Sequence, residues 1–138
     1  MLAKEEREHI IKSAMRVRHF AYAPYSQYQV GAALLTRSGR IFTGVNVENA
    51  ASPAGICAER TAIFKAVTAG EKDYIAIAVV TENGGTPCGS CRQVMAEFSL
   101  EMTVIVLDKT GKTVLDTTVA DLLPGAFGPN DLRTTPNQ

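Results

Sequence analysis

Residues 75–91 read IAIAVVTENGGTPCGSC, and this stretch decides the fold. Ile75 to Val80 is a continuous apolar run without alternation, as in a central strand covered on both faces. Asn83-Gly84-Gly85 then turns the chain, Pro87 follows, and a helix is expected from about Cys88 to Phe98. Thr103 to Leu107 is a second buried strand, Lys112 to Leu115 a short edge strand, and Val119 to Leu123 a helical turn or two before Pro124-Gly125. Upstream, a helix is expected from about Cys57 to Ala69, ending at Gly70. Gln29–Leu35 and Arg40–Val45 read as strands joined by a turn at Ser38-Gly39. Between Ala3 and Phe20, Ile10, Ala14, Val17 and Ala21 form a helical stripe, and Pro24 ends it. Asn46 to Gly55 lacks periodicity and is rich in small and polar residues, the pattern of a functional loop. Helices alternating with apolar strands imply an α/β sheet covered on two faces.

The 138 residues are 46% hydrophobic and 20% charged, a globular composition that fits one domain over 1–138. Fourteen Lys+Arg balance fourteen Asp+Glu, which argues against a nucleic-acid binder because phosphate neutralisation needs basic excess. No apolar run approaches the roughly 20 residues of a membrane helix. The N-terminus mixes both charges, unlike a targeting peptide, so a soluble cytoplasmic protein is expected. Three cysteines cannot all pair within one chain, which disfavours a secreted disulfide scaffold.

All three cysteines fall at the starts of two expected helices: Cys57 in Cys-Ala-Glu-Arg, Cys88 and Cys91 in Pro-Cys-Gly-Ser-Cys-Arg. A first helical turn puts the latter two sulfurs on one face. Two strand–loop–helix units side by side would bring the three thiols together, and a helix N-terminus favours the thiolate. Three thiolates suit Zn²⁺ and leave a fourth tetrahedral position open, where the pKa of water falls to about 7. Glu59, two residues after Cys57, is placed to take that proton. Arg60 and Arg92 directly follow the two motifs and are candidates to offset the charge of the thiolates. Other readings stand beside this one. Cys88-x-x-Cys91 alone suits a redox pair, and His9 or His19 would have to complete a closed structural zinc site.

The ligand-x-Glu pattern followed by Pro-Cys-x-x-Cys resembles the signature of zinc-dependent deaminases. Asn46-Val47-Glu48-Asn49-Ala50, Cys57-Ala58-Glu59-Arg60-Thr61-Ala62, Pro87 to Val94 and Leu122 to Phe127 are similar to segments of the small homotetrameric cytidine deaminases. Ala21 to Ser26 and Val30 to Ala33 fit as well, so the resemblance spans nearly the whole chain. It implies a three-layer α/β/α sandwich around a mixed sheet of about five strands. It also implies hydrolytic deamination of cytidine and 2′-deoxycytidine in pyrimidine salvage, with one Zn²⁺ per chain at Cys57, Cys88 and Cys91. Glu59 would be the proton shuttle, and the backbone N–H of Ala58 would meet the oxygen added at pyrimidine C4. Asn46 and Glu48 would bind the ribose 3′-hydroxyl within a segment that includes Ala50. Phe127 would pack on the base from a neighbouring subunit, with residues 124–138 a tail covered by that neighbour. Tyr28 stands where many members have a phenylalanine, and Ser52-Pro53 where many have an aromatic that reaches a neighbour's ribose end. A related aminopyrimidine-nucleoside deaminase, such as one acting on blasticidin S, and a zinc-holding binding module without turnover are the alternatives.

Overall fold

In a computed structural model of the chain, residues 2–133 are described. Helix α1 (Lys4–Val17) leads through a 3₁₀ turn at Arg18–Phe20 to the hairpin β1 (Gly31–Thr36) and β2 (Ile41–Val45). There follow α2 (Ala58–Thr68), β3 (Tyr74–Val80), α3 (Gly89–Phe98), β4 (Thr103–Leu107) and β5 (Thr113–Thr118). Two short helices, α4 (Val119–Leu122) and α5 (Pro129–Leu132), complete the order. The five-stranded sheet runs β2-β1-β3-β4-β5, with β3 and β4 parallel and the other pairs antiparallel.

The strands alternate between two cores because successive side chains leave opposite faces of a sheet. On one face, Ala32, Leu34, Ile77, Val79, Val104 and Val106 pack with Ala62, Ile63 and Ala66 of α2 and Met95 of α3. On the other, Ala33, Leu35, Ala76, Ala78, Val80, Ile105 and Leu107 pack with Ile10 and Ala14 of α1. This is the three-layer α/β/α sandwich around a mixed five-stranded sheet that the sequence implies. The run at 75–80 is buried on both sides, as a central strand must be.

Two differences at element ends have local causes. The N-terminal helix tightens to 3₁₀ at Arg18, whose Nε donates to the carbonyl of Gln29 at 2.8 Å and ties the helix end to the loop before β1. The edge strand β5 extends to Thr118 rather than stopping at Leu115, because its pairing with β4 continues through Thr117 and Thr118. Of the expected tail at 124–138, residues 134–138 lie outside the described residues.

The topology brings both cysteine-bearing helices in at one end of the sheet. Strand β1 lies between β2 and β3 and is antiparallel to each, so β2 and β3 point the same way. The segments that leave them enter α2 and α3 from the same end of the sheet. Close approach at Gly44 seats the start of α2: a Cβ there would lie 2.5 Å from the Ala58 carbonyl oxygen and the Ala62 nitrogen.

Candidate active site

Cys57 and Cys88 are the N-cap residues of α2 and α3, each in extended conformation, and Cys91 lies in the first turn of α3. Their sulfurs lie within 4.8 Å of one another. Cys88 Sγ is 3.4 Å from Cys91 Sγ and 4.0 Å from Cys57 Sγ. Cys91 is buried, Cys57 half-buried and Cys88 exposed, so the cluster has a closed back and an open front. Unpaired N–H groups of two helix starts face this region and favour anionic sulfur.

Charge is already arranged for thiolates. Arg60 Nη2 donates to Cys57 Sγ at 3.4 Å, while its buried Nε has no partner among the described residues. Hydrogen bonding from Cys91, reinforced by Arg60 and Cys88, brings the Cys57 thiol down to about 5. Hydrogen bonding to Cys57 together with burial pushes the Cys91 thiol up. Three clustered sulfurs with an ionised member and a guanidinium beside it fit a zinc ion, a soft-to-borderline cation that tetrahedral thiolate sites select.

The front of the cluster opens into a cavity of about 860 Å³. Cys57, Cys88, Ala58 and Glu59 lie at its walls, together with Asn46, Glu48, Ala50, Ser52 and Tyr28. Glu59 is only 5% exposed. That burial, with the negative sulfur of Cys57 adding to it, raises its carboxyl to about 7. Ala58 is the first residue of α2, so its backbone N–H has no acceptor within the helix.

Asn46 and Glu48 are tied to the segment that precedes β1. Asn46 Oδ1 accepts from Val30 N at 2.9 Å and its Nδ2 donates to the Tyr28 carbonyl at 2.8 Å. Glu48 Oε1 accepts from the N–H groups of Tyr25 and Ser26 at 3.0 and 3.1 Å, and Ser26 Oγ donates to its other oxygen. The Ser26 bonds hold the Glu48 carboxyl below its ordinary range. Both side chains are thereby fixed in orientation, with lone pairs and one amide hydrogen left for a ligand.

Arg92 and Phe127 both lie outside this chain's own cavity. Arg92 does not touch a thiol: it donates to the carbonyls of Pro87 and Leu122 at 2.7 and 2.8 Å and to Thr86 Oγ1 at 3.1 Å. It braces the segment before Cys88 against α4, so its guanidinium is turned to Pro87, Leu122 and Thr86, and among the described residues the contact with sulfur is made by Arg60. Phe127 is 57% exposed, and it lines no part of its own chain's cavity; its carbonyl accepts from Gln93. Tyr25, Ser26, Thr81, Gly85 and Thr86 also reach the cavity without having been assigned roles. Only contacts across the fold bring them there, and no local spacing announces them.

The family model for the cytidine and deoxycytidylate deaminase zinc-binding region matches residues 4–107. A cytidine deaminase of Halalkalibacterium halodurans is 47% identical over 129 residues, covering 92% of this chain and 98% of that one. A probable cytidine deaminase of Dictyostelium discoideum is 44% identical over 132 residues, covering 94% and 88%. The crystal structure of a cytidine deaminase from Burkholderia pseudomallei superposes with a TM-score of 0.83 at 46% identity, over 87% of this chain and 98% of that one.

Proposed function

The chain belongs to the cytidine and deoxycytidylate deaminase family, and on that premise we propose that it is a zinc-dependent hydrolase converting cytidine and 2′-deoxycytidine to the uridines with release of ammonia. The observation that carries the reading is a cluster of three thiols, two of which, Cys57 and Cys88, line a cavity together with the buried carboxyl of Glu59 and with Asn46 and Glu48. Cys57, Cys88 and Cys91 hold the zinc, and none of them is spent in a disulfide. Zinc held there supplies Lewis acidity that makes water a nucleophile near neutral pH.

Glu59 moves the protons. Burial pushes its carboxyl up from the ordinary carboxylate range, which suits a group that must first accept and then donate a proton. It takes a proton from the attacking water, delivers it to N3 of the ring, and then helps a proton reach the departing C4 amine. One water enters and one ammonia leaves. The Ala58 N–H donates to the oxygen that arrives at C4, a fixed dipole aimed at developing negative charge. Arg60 lowers the charge of the sulfurs through its bond to Cys57. Asn46 and Glu48 bind the sugar hydroxyls, and the anionic Glu48 disfavours a phosphate at that end.

The active form is a homotetramer in the cytoplasm, with Phe127 and the segment from residue 124 packed against a neighbouring subunit's site. Its support is the exposure of Phe127 and of Phe64 on α2, large apolar side chains that a neighbouring subunit would cover. Among the described residues, no helix is long and apolar enough to cross a membrane. Loss of the cytidine absorbance band with ammonia release tests the activity. A protein that retained zinc and turned over no cytosine nucleoside would instead be a binding module.

A further inference from the structure

Tyr28 joins two parts of the cavity that are far apart in sequence. Its backbone is held on the sugar side, where its N–H donates to Ser26 Oγ at 3.0 Å and its carbonyl accepts from Asn46 Nδ2. Its tip is held by the loop that leads from β3 to α3, where the hydroxyl donates to Asn83 Oδ1 at 2.8 Å. The same oxygen accepts from Gly85 N at 3.2 Å, which fixes the Asn83 amide and makes the phenol the donor. Asn83 lies at the surface in the bend between β3 and α3, with contacts on both sides. Glu82 beside it is bonded to Arg18 at 2.9 Å and Lys109 at 2.7 Å, and Gly84 on its other side lies against Val114.

Gly85 supplies the room. A Cβ at position 85 would overlap the Tyr28 hydroxyl oxygen, yet it would sit 3.5 Å from the ring's Cζ, an ordinary van der Waals contact. Gly85 does not have a positive φ, so its backbone would accept alanine. The missing side chain at 85 is therefore matched to one atom, the phenolic oxygen of Tyr28. Both residues line the cavity, close to Thr86 and Cys88.

We propose that Tyr28, Asn83 and Gly85 form one positioning unit that sets the cavity wall between the sugar-binding residues and the metal ligand Cys88. The proposal rests on the deaminase reading above and adds to it two residues, Asn83 and Gly85, that touch no reacting atom. The unit holds the ring in place for substrate. It does not take part in the chemistry, so its loss changes KM much more than kcat.

The test is steady-state kinetics on cytidine, with uridine binding by calorimetry and zinc content on the same samples. Tyr28→Phe and Asn83→Ala each raise KM and the uridine Kd about fivefold, the worth of one hydrogen bond, with kcat and zinc little changed. Their double variant is no worse than either single one. Gly85→Ala raises both constants about tenfold by displacing the ring, and Tyr28→Phe combined with Gly85→Ala returns them to the Tyr28→Phe level, since the overlapping atom is gone. Equal constants for Gly85→Ala with and without Tyr28→Phe would overturn the proposal, as would multiplying effects of Tyr28→Phe and Asn83→Ala. If Gly85→Ala fails to fold, the Tyr28–Asn83 pair still decides. A wild-type protein inert toward cytidine would overturn the deaminase reading and this unit's role together; an active one with additive variants would overturn this proposal alone.

Discussion

Replacing Glu59 by glutamine separates chemistry from fold, and the two effects have opposite signs. The side chain is 5% exposed, and burial holds its carboxyl at about 7 instead of 4.5. The amide keeps the shape and cannot carry the proton, so turnover of cytidine falls by about 10²–10⁴-fold while zinc is retained. Stability moves the other way. A carboxyl whose folded pKa is raised contributes most below its unfolded value, and that contribution is lost as pH rises through about 7. At roughly 1.4 kcal/mol for each tenfold change in proton affinity, the shift amounts to about 3 kcal/mol. In the chelated, reduced protein, the stability of Glu59→Gln relative to wild type therefore grows by about 3 kcal/mol between roughly pH 4.5 and pH 8. Cys57, depressed to about 5, drives stability upward with pH in both proteins, and its coupling to the Glu59 carboxyl is part of the measured difference. Urea unfolding across a pH series measures the difference. Parallel stability profiles, or near-normal turnover by the variant, would refute the placement of a buried, proton-carrying carboxyl at this site.

Single Cys57→Ala, Cys88→Ala and Cys91→Ala variants each lose bound zinc, measured by metal analysis; full retention in all three would remove the site from these residues. Gly44→Ala forces a Cβ to 2.5 Å from the start of α2 and destabilises the fold by about 1–3 kcal/mol, visible as a lowered Tm. Ser52→Tyr adds a ring to the 3₁₀ turn Ser52–Ala54 on the cavity rim and lowers the KM for cytidine severalfold, on the order expected for added aromatic contact, while narrowing tolerance of bulky substituents. Equal KM and equal tolerance in the two proteins would show that position 52 does not line the working site. The proposed tetramer is expected to appear in light scattering, and a fully active monomer would contradict the shared-site reading.

The buried half of the fold was legible because its signals are local. Thr103–Leu107 is a strand at the bounds its apolar run suggests, and the Pro87-Cys88 step opens α3 where expected. The edge was harder. Strand β5 has no buried residue, Asp116, Thr117 and Thr118 carry no apolar pattern, and pairing with β4 keeps them extended. Within the site, the cysteine spacing and the helix starts pointed to the thiol cluster. The bonds from Asn46 and Glu48 to residues 25–30 cross about twenty positions, and the Tyr28–Asn83 bond crosses 55, so no periodicity could reveal them. Arg92 shows the same limit: its position after Cys91 suggested charge compensation, while tertiary carbonyls claimed its guanidinium.

The central claim joins a three-thiol zinc site to deamination of a cytosine nucleoside, and one sample tests both halves. Purified protein is analysed for metal and then given cytidine, with absorbance and ammonia followed together. The account predicts about one zinc per chain, one ammonia for each cytidine lost, and recovery of activity on returning zinc to the chelated protein. Full turnover in a protein stripped of metal, or a zinc-loaded protein that leaves cytidine unchanged, would contradict it.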